Sequence, residues 1–596
     1  MKVMLLFPPN WTPTMPHLAL PTLTAYLRAN GVEVIQRDLN IEVFDAVLSQ
    51  EYLKKTLNRL RQMYARRGEL RPGQEARRVP PPQTVQWALN HGPDLIRHVE
   101  NAKAVIRSDS FFDGPVGLKA IQTLAQSLEI ISLPFFPASL HLQSYEPALP
   151  ADSSRNLLNL SKNRQYNMLI ELYEAMVMAD IEREKPDVVG ISIPSLAQML
   201  PGLTLGAMIK ARGLKSHITI GGPHISMLRE ALCQVPQIFQ LFDSAIIFDG
   251  EVPLLRLAEA VTGQGDIAQV PNLIYNDGGT IRVNDRKEPE KISDLPLPDF
   301  EGFPLDRYLA PKLVLPLLTA RGCYFGKCAF CNVGYGEAET FSQLRAENLA
   351  DQMQALHQTY GTKHIFFADE AITPRNLRDL KPALAKRGDP VHWGGCVRFE
   401  KVISKELLQG AYDAGCRMIL FGLETASEAI VERMIKGTQL PHMHRILEES
   451  TEVGIWNHTF FFFGFPGETL EDAQETVNFL YRHKYHINSA AMGTFLLERY
   501  APAHRFPKTF GITRVIEDPD RDLAIYFDYE VESGMDERTA DMLADRFLNT
   551  LPTKKYAQFY IHDVYRFLYS SYLSQRDQPL PPWLVPEEQW QQEVAA

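Results

Sequence analysis

The chain has 596 residues with a net charge of −11 and 45% apolar content, too long for one core and of ordinary globular composition. Its acidity argues against a surface built to bind nucleic acid, which shows as a basic patch. The densest basic stretch, Arg59 to Arg67 with Arg71, Arg77 and Arg78, is interrupted by Glu69 and Glu75 and reads as a solvated helix face.

From the N-terminus, Val3 to Phe7 reads as a strand, stopped by Pro8 and Pro9 before it reaches signal-peptide length. Leu18 to Ala29 is an amphipathic helix, and Val32 to Arg37 is a second strand with Asp38 at its end, a βαβ opening. The alternation resumes with strands at 186–193, 217–224 and 244–248, separated by a helix over Leu203 to Ala211; Gly250-Glu251 opens another helix. Five such strands predict a doubly wound parallel sheet with its ligand at the strands' C-terminal ends. Between its halves lie helical patterns near 41–67, 83–107, 117–128 and 163–184, an insertion that caps a ligand or pads the domain. No G-x-G-x-x-G follows any strand, which disfavours a dinucleotide.

A Pro-containing linker (Pro296, Pro298, Pro304) leads into a second alternating region. Its strands read as 313–319, 364–368, 391–399, 417–421, 457–463 and 489–496. Beyond Tyr500 the pattern loosens, with helices near 537–548 and 556–573. The expected domains are therefore 1–45 with 171–295, an insertion over 46–170, a core over 305–500 and a small, mostly helical C-terminal domain over 501–596, placed at the core's open side. No uncharged run approaches the ~18 residues of a membrane span.

Three of the six cysteines, Cys323, Cys328 and Cys331, fall within nine residues on the loop after the first strand of the second region. Such clustering fits a reducing, cytoplasmic setting in which thiolates serve metals. The C-x4-C-x2-C spacing has three readings. It fits a [4Fe–4S] cluster with one open iron, or a closed ferredoxin-like cluster completed by Cys396 or Cys416. Zinc is the third, although no second ligand pair is present.

The loop, with Phe330 before its last cysteine, resembles the cluster loop of radical S-adenosylmethionine (SAM) enzymes, departing from the family's C-x3-C-x2-C by one residue in the first gap. That resemblance implies a partial (β/α)6 barrel and a [4Fe–4S] cluster that binds SAM. It places Asp369 and Glu370 near SAM's amino group, Arg398 near its carboxylate, Glu424 near the ribose or amino acid, and Gly464 with Pro466 on the loop that cradles adenine. The first region's loops, Pro8-Pro9, Asp38, Ser192 to Ser195, Gly221-Gly222 and Gly250-Glu251, resemble the cobalamin-binding domain that precedes many such cores. Without D-x-H-x-x-G, base-off cobalamin lacking a protein histidine ligand is implied.

The implied activity is cobalamin-dependent methyl transfer to an unactivated carbon of a small molecule, lipid or peptide, through a 5′-deoxyadenosyl radical and methylcobalamin. An external donor of flavodoxin or ferredoxin type would supply electrons. Two alternatives stand beside it: cyclisation, rearrangement or oxidation without methyl transfer, and a non-catalytic iron–sulfur or corrinoid electron-transfer protein. Substrate and catalytic residues are not legible.

Overall fold

The computed structural model describes residues 1–65, 79–336, 341–387, 391–550, 559 and 561–584. Contacts divide the chain into two units: 1–290 with 294–311 and 518–525, and 291–293 with 312–517 and 526–596. Arg66, Arg67, Arg71, Arg77 and Arg78 of the basic stretch, and the start of the helix expected from 556, lie outside the described residues.

In the first unit, β1 (Lys2–Phe7) buries Val3 to Phe7 almost completely, the pattern of a strand covered on both faces. It is flanked by β2 (Glu33–Asp38) and β3 (Val188–Ser192), followed by β4 (His217–Gly221) and β5 (Ser244–Ile246), all parallel. The order 2-1-3-4-5 is the flavodoxin-like doubly wound arrangement, whose switch point lies between β1 and β3. A hairpin not expected from the sequence, β6 (Leu273–Asp277) and β7 (Thr280–Val283), extends the edge antiparallel. Its two-residue turn is Gly278-Gly279, with φ of 57° and 100°, the positive angles a type I′ turn demands. The strand expected over 217–224 ends at Gly221, and His224 lies on the short Pro223–Met227 helix.

The helical insertion is not a unit of its own. Its Asn167 Nδ2 donates to Thr204 Oγ1 (2.8 Å), tying it to the Met199–Ala211 helix. A two-residue hairpin, Ser139–Leu140 with Tyr145–Glu146, reaches the end of β1, where Asn10 Nδ2 donates to the carbonyls of His141 (3.2 Å) and Ser144 (3.3 Å).

The second unit is built on β8 (Val314–Leu317), β9 (His364–Phe367), β10 (His392–Val397), β11 (Cys416–Glu424), β12 (Trp456–Phe463) and β13 (Ser489–Thr494), parallel and in sequence order. All six expected strands are present, each joined to the next through helix.

The C-terminal residues, expected as a small, mostly helical domain, carry strands as well as helices. β14 (Leu497–Glu498), β15 (Ile512–Ile516) and β16 (Tyr526–Val531) form an antiparallel sheet of order β14-β16-β15, and 518–525 group with the first unit. The Asp563–Ser574 helix packs not at an open side but against the starts of the middle strands. There Ser571 Oγ meets the ring nitrogens of His364 (3.0 Å) and His392 (2.7 Å), and Ser570 Oγ donates to the Arg417 carbonyl (2.6 Å). The Glu537–Thr550 helix lies instead on β12, with Phe547 edge-on to Phe461 and Phe463.

Candidate functional site

The cysteine loop leaves the barrel after β8, and Asp369 fixes its departure. This buried carboxylate, two residues past β9, accepts from the Thr319 amide (2.9 and 3.0 Å), the Thr319 hydroxyl (2.7 Å) and the Ala320 amide (2.7 Å). Burial still pushes its carboxyl up to about 7 against those donors. Asp369 therefore holds the loop's root. Its neighbour Glu370 is accessible, although the surrounding protein raises its carboxyl by desolvation.

The loop's other anchors are charged pairs. Arg398 is buried, with its guanidinium 3.8 Å from the Phe325 ring centroid. It donates to Glu400 (3.0 Å), to the Lys436 carbonyl and to Cys328 Sγ (3.7 Å). The arginine expected to meet SAM's carboxylate thus clamps the cluster loop. Glu424 ends β11 at φ 60° and pairs with Lys436 Nζ. A side chain on Gly422 would collide with this pair, 2.4 Å from Glu424 Oε1 and 2.6 Å from Lys436 Nζ. The Ala329 amide donates to the Met434 carbonyl (2.8 Å), and Phe330 packs edge-on to Phe462 (5.4 Å).

These contacts set the thiols' electrostatics. Burial raises the Cys328 thiol while Lys436 and Arg398 pull it down. Burial pushes Cys331 up to about 12, with Glu370 and Glu498 adding to the rise. Thiols so held ionise when a cation takes the proton's place. Three soft donors with two cations alongside fit an anionic iron–sulfur cluster. Glu498, which the motif reading missed, ends β14; burial first and Glu370 second push its carboxyl up to about 7. Glu370 and Glu498 thus stand beside Cys331 with Glu370 raising Glu498, and a carboxylate pair of this kind suits an ammonium group.

Gly464 and Pro466 lie buried on the loop after β12. Gly464 has φ 88°, and its amide donates to Glu468, whose carboxyl burial pushes up to about 7. Tyr529 Oη donates to the Gly464 carbonyl (3.3 Å), and a side chain on Gly464 would strike Ala540 at 2.6 Å. The C-terminal segment therefore braces this loop. Cys396 and Cys416 lie within β10 and β11, and Cys416 is fully buried.

In the first unit the switch-point loops are held largely by their own contacts. Gln198, missed in the sequence and fully buried, donates to the Pro8 carbonyl (2.7 Å) while its Oε1 accepts from Ser195 Oγ (3.3 Å). Asp38 caps the Leu39–Val47 helix through Asn40 N (3.0 Å) and Ile41 N (3.2 Å), and it accepts from Tyr308 Oη. Gly222 has φ 117°, and a Cβ there would lie 2.8 Å from the Ile193 carbonyl oxygen. This glycine lets its own loop approach the loop that follows β3. Ser192 ends β3 nearly buried, and a Cβ on Gly221 would sit 3.3 Å from the Ile246 carbonyl. Gly250 precedes Glu251, the first residue of the Glu251–Val261 helix. His224, at 2% exposure, and Asn10 Oδ1 and Tyr145 Oη, at the end of β1, are enclosed; His224 Nε2 and those two oxygens lack hydrogen-bond partners.

A six-stranded parallel sheet with a three-thiol loop after its first strand thus stands in one chain with a flavodoxin-order doubly wound sheet. Residues 317–480 match the family model of the Radical SAM superfamily. It is 26% identical over 308 residues to an uncharacterized methyltransferase, PH0819, of Pyrococcus horikoshii, a match covering 50% of this chain and 65% of that one. The chain thus spans just under two thirds of that relative's length. Among solved structures it is similar to the cobalamin-dependent S-adenosylmethionine radical enzyme OxsB with aqua-cobalamin bound, with TM-score 0.53, 18% identity, and coverage of 72% of this chain and 68% of that one. It is also similar to the radical S-adenosylmethionine methyltransferase TsrM from Kitasatospora setae, with TM-score 0.51, 15% identity, and coverage of 84% and 73%. At these identities the likeness is one of fold. No helix among the described residues is long and apolar enough to cross a membrane.

Proposed function

We propose that this chain is a cobalamin-dependent radical SAM enzyme that methylates an unactivated carbon of a small molecule, lipid or peptide. The observation that carries the reading is the pairing, in one chain, of the three-thiol barrel with the flavodoxin-order sheet; TsrM, covered over 73% of its length, has this fold.

A [4Fe–4S] cluster on Cys323, Cys328 and Cys331 with bound SAM supplies a 5′-deoxyadenosyl radical, and cobalamin carries the methyl group. The chain's own residues hold and orient. Arg398 and Lys436 fix the cluster loop and offset its negative charge. Glu370 and Glu498 receive SAM's ammonium, Glu424 fixes Lys436 at the ribose side, and the Gly464–Pro466 backbone meets adenine. In the first unit, Pro8, Pro9, Ser192, Ser195 and the Gly221-Gly222 and Gly250-Glu251 turns border the corrinoid. Electrons come from a flavodoxin- or ferredoxin-type donor.

Anaerobic turnover with dithionite, hydroxocobalamin, methyl-labelled SAM and a cell extract tests this reading. Both S-adenosylhomocysteine and 5′-deoxyadenosine are expected, with label in a product. Deoxyadenosine without S-adenosylhomocysteine, and a product lacking added methyl, would replace it with the cyclising, rearranging or oxidising reading.

A further inference from the structure

The second unit carries a histidine cluster that the cluster loop and its SAM site do not use. His444 and Glu448 lie one turn apart on the Leu440–Val453 helix. His483 caps the C-terminal end of the Leu470–Arg482 helix, and His486 follows in the turn leading to β13. That helix runs from the end of β12 back to the start of β13. The cluster therefore sits at the opposite end of the barrel from the thiol loop.

His483 is fully buried, and both its ring nitrogens are engaged. Nε2 faces His444 Nδ1 at 2.5 Å, and Nδ1 faces His486 Nδ1 at 3.1 Å. One ligand atom each from Glu448, His483 and His486 lies within 4.8 Å of the others. Two nitrogens bound to a tetrahedral zinc at about 2.0–2.1 Å stand about 3.3 Å apart, close to the separation here. A neutral imidazole has one N–H and one lone pair. If His483 donates from Nε2 to His444, its Nδ1 lone pair points at the space shared with His486 and Glu448. A metal-bound histidine commonly donates its other N–H in this way.

The frame around the cluster is rigid. The His483 ring packs tilted against Phe479 (4.6 Å) and His444 (4.8 Å). The His486 carbonyl accepts from Asn457 Nδ2 (2.8 Å) and Thr451 Oγ1 (3.2 Å), and Asn457 is itself held by Ser450 Oγ (2.6 Å). Glu448 is exposed, so a carboxylate closes the site from the solvent side.

We propose that His483 Nδ1, His486 Nδ1 and the Glu448 carboxylate bind a divalent transition-metal ion of the zinc class, with His444 positioning His483 and water completing the shell. The imidazole and carboxylate donors suit zinc. The ion joins two helices to the turn before β13, a structural role remote from the thiol loop.

The test uses full-length protein with its iron cluster in place and one equivalent of Zn²⁺. Zinc-edge X-ray absorption sees only the zinc, so the iron does not interfere. A nitrogen and oxygen shell near ~2.0 Å without sulfur at ~2.3 Å is expected. Chelator competition should show His483→Gln and His486→Gln each weakening zinc binding by roughly 100-fold or more, and His444→Phe by about 10-fold. Zinc should raise the thermal midpoint by a few degrees, and that rise should vanish in the ligand variants. Should the buried His483→Gln variant not fold, Glu448→Gln serves instead: weaker zinc binding with an unchanged zinc-free melting point. A sulfur shell, loss of zinc to a weak chelator, or unchanged affinity in His486→Gln and Glu448→Gln would overturn the proposal.

Discussion

The two units anchor their strand-end loops by different means. Around the barrel loop the anchors are side-chain charges: Asp369 on the Thr319 and Ala320 donors, Arg398 against Glu400 and Phe325, and Glu424 against Lys436. In the sheet unit they are caps and close backbone approaches: Asp38 on its helix, Gln198 on Pro8, and Gly222 against Ile193. A thiol cluster needs charge compensation and soft donors, both side-chain properties. A site at the switch point of a doubly wound sheet is shaped by backbone, which leaves a weaker trace in sequence.

The largest effect that sharpens this contrast is at the thiols. Cys323→Ala, Cys328→Ala and Cys331→Ala should each abolish the iron and sulfide content of the anaerobic protein, while Cys396→Ala and Cys416→Ala should keep it. Iron loss in either of the last two would favour the closed, four-cysteine cluster.

Next come the two adjacent acids, which motif reading treats alike. Asp369→Ala leaves buried donors of Thr319 and Ala320 unpaired, so a loss of about 2–5 kcal/mol and a thermal midpoint lower by several degrees are expected. Glu370→Gln should leave the midpoint within about a degree but weaken SAM binding by roughly 10- to 100-fold, as read by equilibrium dialysis. Equal effects on stability would erase the distinction.

The six barrel strands were legible because each is an apolar run followed by helical spacing. The pairing of Glu424 with Lys436, twelve residues on, and the use of Asp369 as an anchor were not, because the main-chain donors that bind Asp369 have no sequence signature. Glu498 was missed because it ends a two-residue strand in a region with no clear period. The Leu273–Val283 hairpin was overlooked despite its Gly278-Gly279 turn, a readable signal. The 512–531 sheet hid in exposed, polar strands.

A smaller effect is expected at Gly222. Gly222→Ala brings a Cβ to 2.8 Å from the Ile193 carbonyl at φ 117°, so a stability loss of about 1–3 kcal/mol is expected by chemical denaturation. Cobalamin binding should weaken only as far as the loop distorts. Lost binding at full stability would return Gly222 to the ligand.

The smallest is a pH effect at Asp38. Burial pushes its carboxyl up to about 7, so the folded protein holds a proton that the unfolded chain loses near pH 4. Stability therefore falls as pH rises between about 4 and 7, and it levels above that. Asp38→Asn keeps a capping oxygen and should flatten this fall by no more than one proton's contribution in denaturant titrations across the window. Asp369 and Glu468, both also pushed up to about 7, add slopes of the same sign, so a residual fall should persist.

The most direct test of the central claim, that each unit holds its own cofactor, is metal content per chain after anaerobic purification with hydroxocobalamin present. The account predicts four iron and one cobalt in the native chain, and no iron with cobalt retained when Cys323, Cys328 and Cys331 are all replaced by Ala. Absence of cobalt from the native chain, or loss of cobalt together with iron while the protein stays folded, would contradict it.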